Sequence, residues 1–336
     1  MNSVDGGAGM DIPLPRLRDD LDLPVVGDLR ELFLRQRPMI DTRAPVEFAQ
    51  GSFPTATNLP LLSNDERERI GTCYKHEGHD AAVRLGARLV DGDKKRSRVA
   101  HWADFLREHP DGVLFCFRGG MRSRVAQQWL YEETGIVCPR VEGGYKSLRR
   151  FLLEVIEQRS SAMRPIVLGG RTGSGKTVLL RKLANAIDLE GLANHRGSAF
   201  GPTATPQPGQ IDFENRLAID LLMRQAAGHA TLVFEDEGPN IGVVSTPRSL
   251  YQRLQQAPLV VMHVADEERE RNALKDYIVD THADFARLHG EERGFELFAA
   301  YLLASIDKIR KRLGGERHQR LRAAMESAIA RHRAGG

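Results

Sequence analysis

Short apolar runs alternate with amphipathic stretches along most of this chain, an order that predicts strands separated by helices. Pro38-Met39-Ile40-Asp41 reads as a strand ending in an acidic turn, and Gly112-Val113-Leu114-Phe115 as a buried strand running into Cys116. Beyond Ser123, Val125, Ala126, Trp129 and Leu130 recur at helical spacing, as do Leu148, Leu152, Leu153 and Ile156. The polar stretch from Gln158 to Arg164 reads as a linker, followed by a fresh buried strand at Pro165-Ile166-Val167-Leu168-Gly169. Val178, Leu179, Leu180 and Leu183 predict the next helix, and further strands are expected at 231–235 and 259–264. Strands alternating with helices imply parallel sheets covered on both faces. From about residue 266 the pattern is helical throughout, and the Gly-rich residues 1–12 read as frayed.

At 336 residues the chain has room for two domains of ordinary size. No run approaches the ~18 apolar residues of a membrane span, and Met1 to Met10 lack a signal pattern, so a cytoplasmic location with no membrane partner is expected. Cys73, Cys116 and Cys138 show neither a disulfide framework nor zinc spacing. The net charge of +3 does not by itself imply nucleic acid. Lys308, Arg310, Lys311, Arg312, Arg317, Arg320, Arg322, Arg331 and Arg333 do make the C-terminal region a candidate phosphate-backbone contact, with a solvated helix face as the plainer reading.

Two anion-binding loops of different kinds stand out. Cys116-Phe117-Arg118-Gly119-Gly120-Met121-Arg122-Ser123 joins a strand to a helix, and its glycines let successive N–H groups turn toward one centre. Arg118 and Arg122 add full charges, a setting that favours thiolate and marks Cys116 as a nucleophile. Cys73 and Cys138 read as core residues. Gly170-Arg171-Thr172-Gly173-Ser174-Gly175-Lys176-Thr177 is a complete phosphate-cradling loop between strand and helix. Its N–H groups would hold phosphate oxygens, Lys176 supplies a charge, and Thr177 could hold magnesium. Glu235-Asp236-Glu237 ends a later strand, where Glu235 or Glu237 could water-bridge a cation. The stretch from Ile187 to Gly201, with Asp188, Glu190, His195, Arg196 and Ser198, is poor helix or strand material and reads as a substrate loop. For His195, acid–base work, orienting a phosphate and a plain surface position all stay open.

The first loop, with Met39-Ile40-Asp41-Thr42-Arg43-Ala44-Pro45-Val46-Glu47-Phe48 and Gly51 to Pro60, resembles the rhodanese family, in which the matching cysteine carries transferable sulfur. Asp41 and Arg43 could brace the loop while Glu47 and Phe48 begin a helix. Arg122 lies six residues after Cys116, where many small rhodaneses place it five after. That is the Cys-x5-Arg length of cysteine phosphatases, but Phe115 stands where those enzymes usually have histidine. The longer loop suits a phosphate-bearing chalcogen donor.

Together the two loops, with Asp188 to Ser198, Gln210 to Asn215 and Ile241-Gly242, resemble the bacterial tRNA 2-selenouridine synthases over most of residues 38–245. The resemblance implies an α/β protein: a rhodanese-like parallel-sheet domain (13–157), a P-loop NTPase-like α/β domain (165–265) and a helical basic region (266–333). It implies a transferase acting on tRNA with 2-thiouridine at the wobble position. The thio group would be alkylated from geranyl diphosphate and then displaced by selenium from selenophosphate. Cys116 would serve the selenium step, with Arg118, Gly119, Gly120 and Arg122 at the donor's phosphate. The loop from Gly170 to Thr177 would bind the prenyl diphosphate, since no Asp-Asp-x-x-Asp motif is present. No tightly bound cofactor is expected. The competing readings are a nucleotide-dependent kinase or ATPase with a regulatory rhodanese domain, and a non-catalytic RNA-binding or sulfur-carrier module.

Overall fold

Five short strands, β1 (Val25–Val26), β2 (Met39–Asp41), β3 (Ala56–Asn58), β4 (Val113–Phe115) and β5 (Arg140–Val141), pair in parallel in the order β1-β5-β4-β2-β3. They belong to the first of two units, Met1–Phe151 and Leu152–Gly336, in a computed structural model that describes residues 17, 18 and 20–334. The expected frayed segment 1–12 lies outside the described residues, as does the start of the domain predicted from residue 13. Every residue of β2 and β4 is buried, which explains their unbroken apolar runs. Register sets Asp41 opposite Phe115, so the loops leaving β2 and β4 start level with each other. Trp102 closes the core on one side and donates from Nε1 to Leu59 O at 2.9 Å. Ser63 and Glu66 form a reciprocal capping box that starts helix Asn64–Glu77.

The second unit holds β6 (Arg164–Gly169), β7 (Ala186–Ile187), β8 (Thr231–Glu235), a small antiparallel pair of β9 (Asn240–Ile241) with β10 (Val244–Ser245), and β11 (Leu259–Val261). Its parallel sheet has the order β11-β6-β8-β7. The first strand of this sheet in the sequence, β6, lies between β8 and β11, so the chain leaves it toward both sides. A crevice opens at such a switch point, at the carboxyl ends of the strands. Helix Gln210–Ala226 buries Phe213, Leu217 and Leu221 at a spacing of four, with Ala218 and Leu222 beside them.

Four expectations need correction. The polar stretch after Gln158 is no linker: helix Gly144–Ala162 runs through it, and Arg164 already opens β6. Ser160 and Ser161 donate to Ile156 O and Gln158 O, so their hydroxyls are absorbed by the helix instead of ending it. The helix after the phosphate loop stops at Leu180, because Lys182 N and Leu183 N bond three residues back and tighten the turn. Leu183 still packs on Leu180 and Ala186. The supposed substrate loop begins with a helical turn, Leu189–Ala193, capped by Asp188 through Gly191 N at 2.6 Å and ended by Asn194 in left-handed conformation. Finally, the sheet is not covered throughout: β11 is an edge strand, with Leu259 56 % exposed and Val260 52 %.

Beyond residue 266 the chain is helical: Asp266–Leu274, a π-turn Lys275–Val279, then Asp280–His289, Glu291–Lys308, Arg310–Leu313 and Gly315–Arg333. Phe285, Phe298 and Leu302 form its core, with Met325 packed against them. No helix among the described residues is long and apolar enough to cross a membrane.

Candidate active site

Cys116 sits at the end of β4, buried, and its thiol donates to Ser123 Oγ at 3.3 Å. Ser123 in turn donates to Gly120 O at 3.0 Å, so the residue that closes the motif also orients the sulfur. The loop is pinned from outside by the first turn of helix Gly144–Ala162. Tyr145 N donates to Cys116 O at 2.9 Å and Lys146 N to Phe117 O at 3.1 Å. The approach is so close that a Cβ on Gly144 would lie 2.2 Å from Cys116 O, and one on Gly119 2.7 Å from Gly143 N. Both glycines have positive φ, so no other residue fits without strain.

Asp41 and Arg43 support this loop from the β2 side. Thr42 donates to Phe115 O from both N and Oγ1 at 2.9 Å. Arg43 is fully buried, with every guanidinium nitrogen engaged: Nε and Nη2 on Asp41, Nη1 on Glu47 O and Nη2 on Gly51 O. Its guanidinium lies 3.8 Å from the centre of the Tyr145 ring. A buried charge this well satisfied acts as a brace.

The two arginines of the loop differ. Arg122 is bound to Glu47 through Nη1–Oε2 at 2.6 Å and Nη2–Oε1 at 3.2 Å. Burial works against its charge, but Glu47, with Cys116 and Asp41 behind it, holds the guanidinium above its ordinary value. Burial likewise opposes the Glu47 charge, and Arg122 outweighs it, keeping that carboxyl below the usual range. Arg118 is exposed. Glu47 as counter-ion of Arg122 was missed in the sequence, because the two are 75 residues apart.

The phosphate loop opens onto a cavity of about 530 Å³. Gly170, Thr172, Gly173, Ser174, Gly175, Lys176 and Thr177 all line it, while Arg171 does not. Ser174 Oγ is buried with no hydrogen-bond partner among the described residues, a donor left unused inside the loop. Lys176 Nζ donates to Gly170 O at 2.8 Å and so closes the loop on itself. Helix Asp266–Leu274 holds the loop from behind: Asn272 Nδ2 donates to Gly173 O at 2.9 Å and Arg269 Nε to Thr172 O at 3.3 Å. Neither residue carried a sequence signal.

Glu190, His195, Arg196, Ser198, Asp236 and Glu237 line the opposite wall, joined by Tyr277 from the π-turn. Glu190 and Glu237 converge on Gly197, where a Cβ would lie 2.4 Å from one carboxylate and 2.5 Å from the other. Burial, then the hydrogen bond and charge of Glu237, push Glu190 up to about 8, against the pull of Lys176. Burial also raises Glu237. Asp188 and Glu235 stand behind the wall instead of on it. Glu235 accepts from Leu189 N at 2.8 Å, and burial, then the charges of Asp188 and Glu190, push it up to about 9. His195 is not a surface residue. Its Nδ1 accepts from Gly197 N at 3.1 Å, and burial, with Lys308 nearby, lowers its pKa, which favours the neutral ring. Arg196 donates to Thr281 Oγ1 at 2.8 Å.

This geometry can be set beside known proteins. A family model described as the tRNA 2-selenouridine synthase AAA domain matches residues 163–336. A tRNA 2-selenouridine synthase of Bordetella bronchiseptica is 54% identical over 92% of this chain and 84% of its own length. Relatives of the same name from Pseudomonas fluorescens (strain Pf0-1) and Azotobacter vinelandii are each 53% identical, over 91% and 92% of this chain and 83% of their own lengths. The chain belongs to the tRNA 2-selenouridine synthase family. Within it, the matched AAA region takes in both the phosphate loop and the helices beyond residue 266, which the Arg269 and Asn272 contacts make one structural piece.

Proposed function

We propose that this protein converts wobble 2-thiouridine in tRNA to 2-selenouridine in two steps, at two chemically separate sites. In the first, the thio sulfur attacks the allylic carbon of geranyl diphosphate, forming a C–S bond and releasing pyrophosphate. In the second, selenium from selenophosphate takes the place of the alkylated sulfur. The C–S bond to the base breaks, a C–Se bond forms, and with one water the other products are geranylthiol and phosphate. The logic is that a thiocarbonyl sulfur leaves poorly, whereas an S-alkyl group leaves as a thiol.

The observation that carries this reading is the pairing of a lysine-bearing phosphate cradle in one unit with a braced cysteine loop in the other. In the cradle, Lys176, the unused Ser174 Oγ and the loop N–H groups suit a departing diphosphate. Glu190, pushed toward its neutral form by burial and Glu237, reduces the negative charge facing that ligand. Magnesium fits the same cavity as a partner of the diphosphate: Thr177, Asp236 and Glu237 supply hard oxygen donors. No group of three or more His, Cys, Asp or Glu residues among those described could hold a metal unaided, so diphosphate oxygens would complete the shell. In the first unit, the parallel order around β4 and the loop from Cys116 to Ser123 support a rhodanese-like reading. There Cys116 serves the selenium step and Arg118 meets the donor's phosphate, while Arg122 shapes the loop through Glu47.

The test is nucleoside mass spectrometry on thiolated tRNA treated with geranyl diphosphate and selenophosphate. Cys116→Ser is expected to stop at the geranylthio nucleoside, because an alcohol is a far weaker nucleophile than sulfur. Lys176→Ala is expected to stop before it, and pre-geranylated tRNA should restore selenation. Normal selenouridine from the Ser variant overturns the role of Cys116. Wild-type prenylation by the Ala variant, with loss of an ATP hydrolysis activity instead, favours a kinase-like protein.

A further inference from the structure

Helices Asn64–Glu77 and His79–Leu89 stop short of closing over the helix that begins at the cysteine loop, Met121–Thr134. They leave a recess of about 690 Å³ walled by Leu62, Ile70, Val83, Ala87, Val125 and Trp129. That volume is typical of pockets for small organic ligands, and a wall so apolar suits a hydrocarbon. Its polar members include Arg118 and Arg122, both from the cysteine loop. Arg118 also lines a second recess, of about 510 Å³, where Lys146 and Arg150 stand with it against one acid, Glu142, so that basic groups prevail. One arginine of the loop is therefore shared by an apolar recess and a cationic one. The complementary ligand is anionic along its backbone and carries one apolar branch.

We propose that the apolar recess of the first unit receives the hydrocarbon chain carried on the sulfur of the substrate nucleotide, with an RNA phosphate in the basic recess across Arg118. This rests on the S-alkylated intermediate proposed above and assigns its chain a place. A chain anchored there would hold the sulfur's bond to the base beside the cysteine loop, the geometric constraint from which displacement gains most. It would also make the second step selective for alkylated over unalkylated RNA, since each buried methylene contributes roughly fourfold in affinity.

The experiment uses the full-length protein and fluorescent anticodon stem-loop RNA whose wobble 2-thiouridine is either S-geranyl or S-methyl. Fluorescence anisotropy is expected to show at least ~10-fold tighter binding of the S-geranyl RNA. Val83→Phe and Ala87→Phe, which fill the recess, should each cut that preference to under ~3-fold in samples whose thermal unfolding is cooperative. An S-geranyl analogue carrying a diazirine gives a second measurement, on unaltered protein. Its crosslinks should map to residues 61–90 and 121–129. Equal affinity for the two RNAs, a preference that survives both substitutions, or crosslinks in the phosphate-loop cavity would each overturn the proposal. Preference and crosslinks as expected, but no selenouridine formed from S-geranyl RNA, would leave the recess in place and remove the proposed reaction.

Discussion

Glu190→Gln tests how the carboxylates opposite the phosphate loop are held. Glu190 is raised from an ordinary 4.5 to about 8, by burial first and then by Glu237. Its folded-state pKa therefore exceeds its unfolded one. The stability this group contributes is fully present below about pH 4.5 and is lost as pH rises through about 8, because above that the folded protein must hold an anion that burial disfavours. At 1.36 kcal/mol per decade, the difference between 4.5 and 8 sets an upper bound of roughly 5 kcal/mol. Glu237 shares the proton, so one substitution should recover less than half, about 2 kcal/mol. Glutamine keeps the shape of the neutral acid. The variant is therefore expected to match the wild type at pH 4 and to be more stable by about 2 kcal/mol at pH 9. For a unit of this size that corresponds to roughly 4–8 °C in melting temperature. Thermal unfolding at half-unit pH steps between 4 and 9 would measure it. A residual slope should remain in the variant, since Glu235 and Glu237 are raised in the same direction. Wild-type and variant curves that run parallel over that range would refute the reasoning.

Other changes probe the supports of the two sites. In Gly173→Ala the new Cβ would lie 2.3 Å from Arg269 O at a φ of 80°, so a loss of about 2 kcal/mol or more is expected, with weaker diphosphate binding by calorimetry. Removing the chain beyond Lys308 would unfold more than it tests, because Met325 packs on the Phe298 cluster and Ile329 is buried. Arg317→Glu with Arg320→Glu instead reverses two exposed charges and leaves the fold alone. Weaker tRNA binding with a shallower salt dependence is expected, by about 0.7–0.9 in log–log slope for each phosphate no longer bound, while unchanged affinity would make that helix a solvated face.

The shape of both candidate loops was legible in the sequence, for a physical reason that can be located. The phosphate loop and the cysteine loop are built from consecutive residues, whose glycines and helix entry create the turned backbone locally. Reading Gly170 to Thr177 in order is therefore nearly the same as seeing the cradle. Strands β2 and β4 were found because burial at every position leaves continuous apolar runs, and β6 and β8 because their centres are buried or half-buried throughout. The boundaries that failed are those where a helix absorbs polar residues, at Ser160, or where a tight turn ends it early, after Leu180.

Which charges are free is settled only by packing. Arg118 and Arg122 are equals in the sequence, yet Glu47 neutralises one and not the other, from 75 residues away. Glu235 and Glu237 share a side by alternation, yet one supports a helix from behind the wall and the other faces the cavity. Asn272 and Arg269 hold the phosphate loop without belonging to any motif. Desolvation and pairing depend on neighbours brought together by the tertiary fold, and no local pattern encodes them. Backbone geometry depends on a few adjacent residues, and there the sequence alone sufficed.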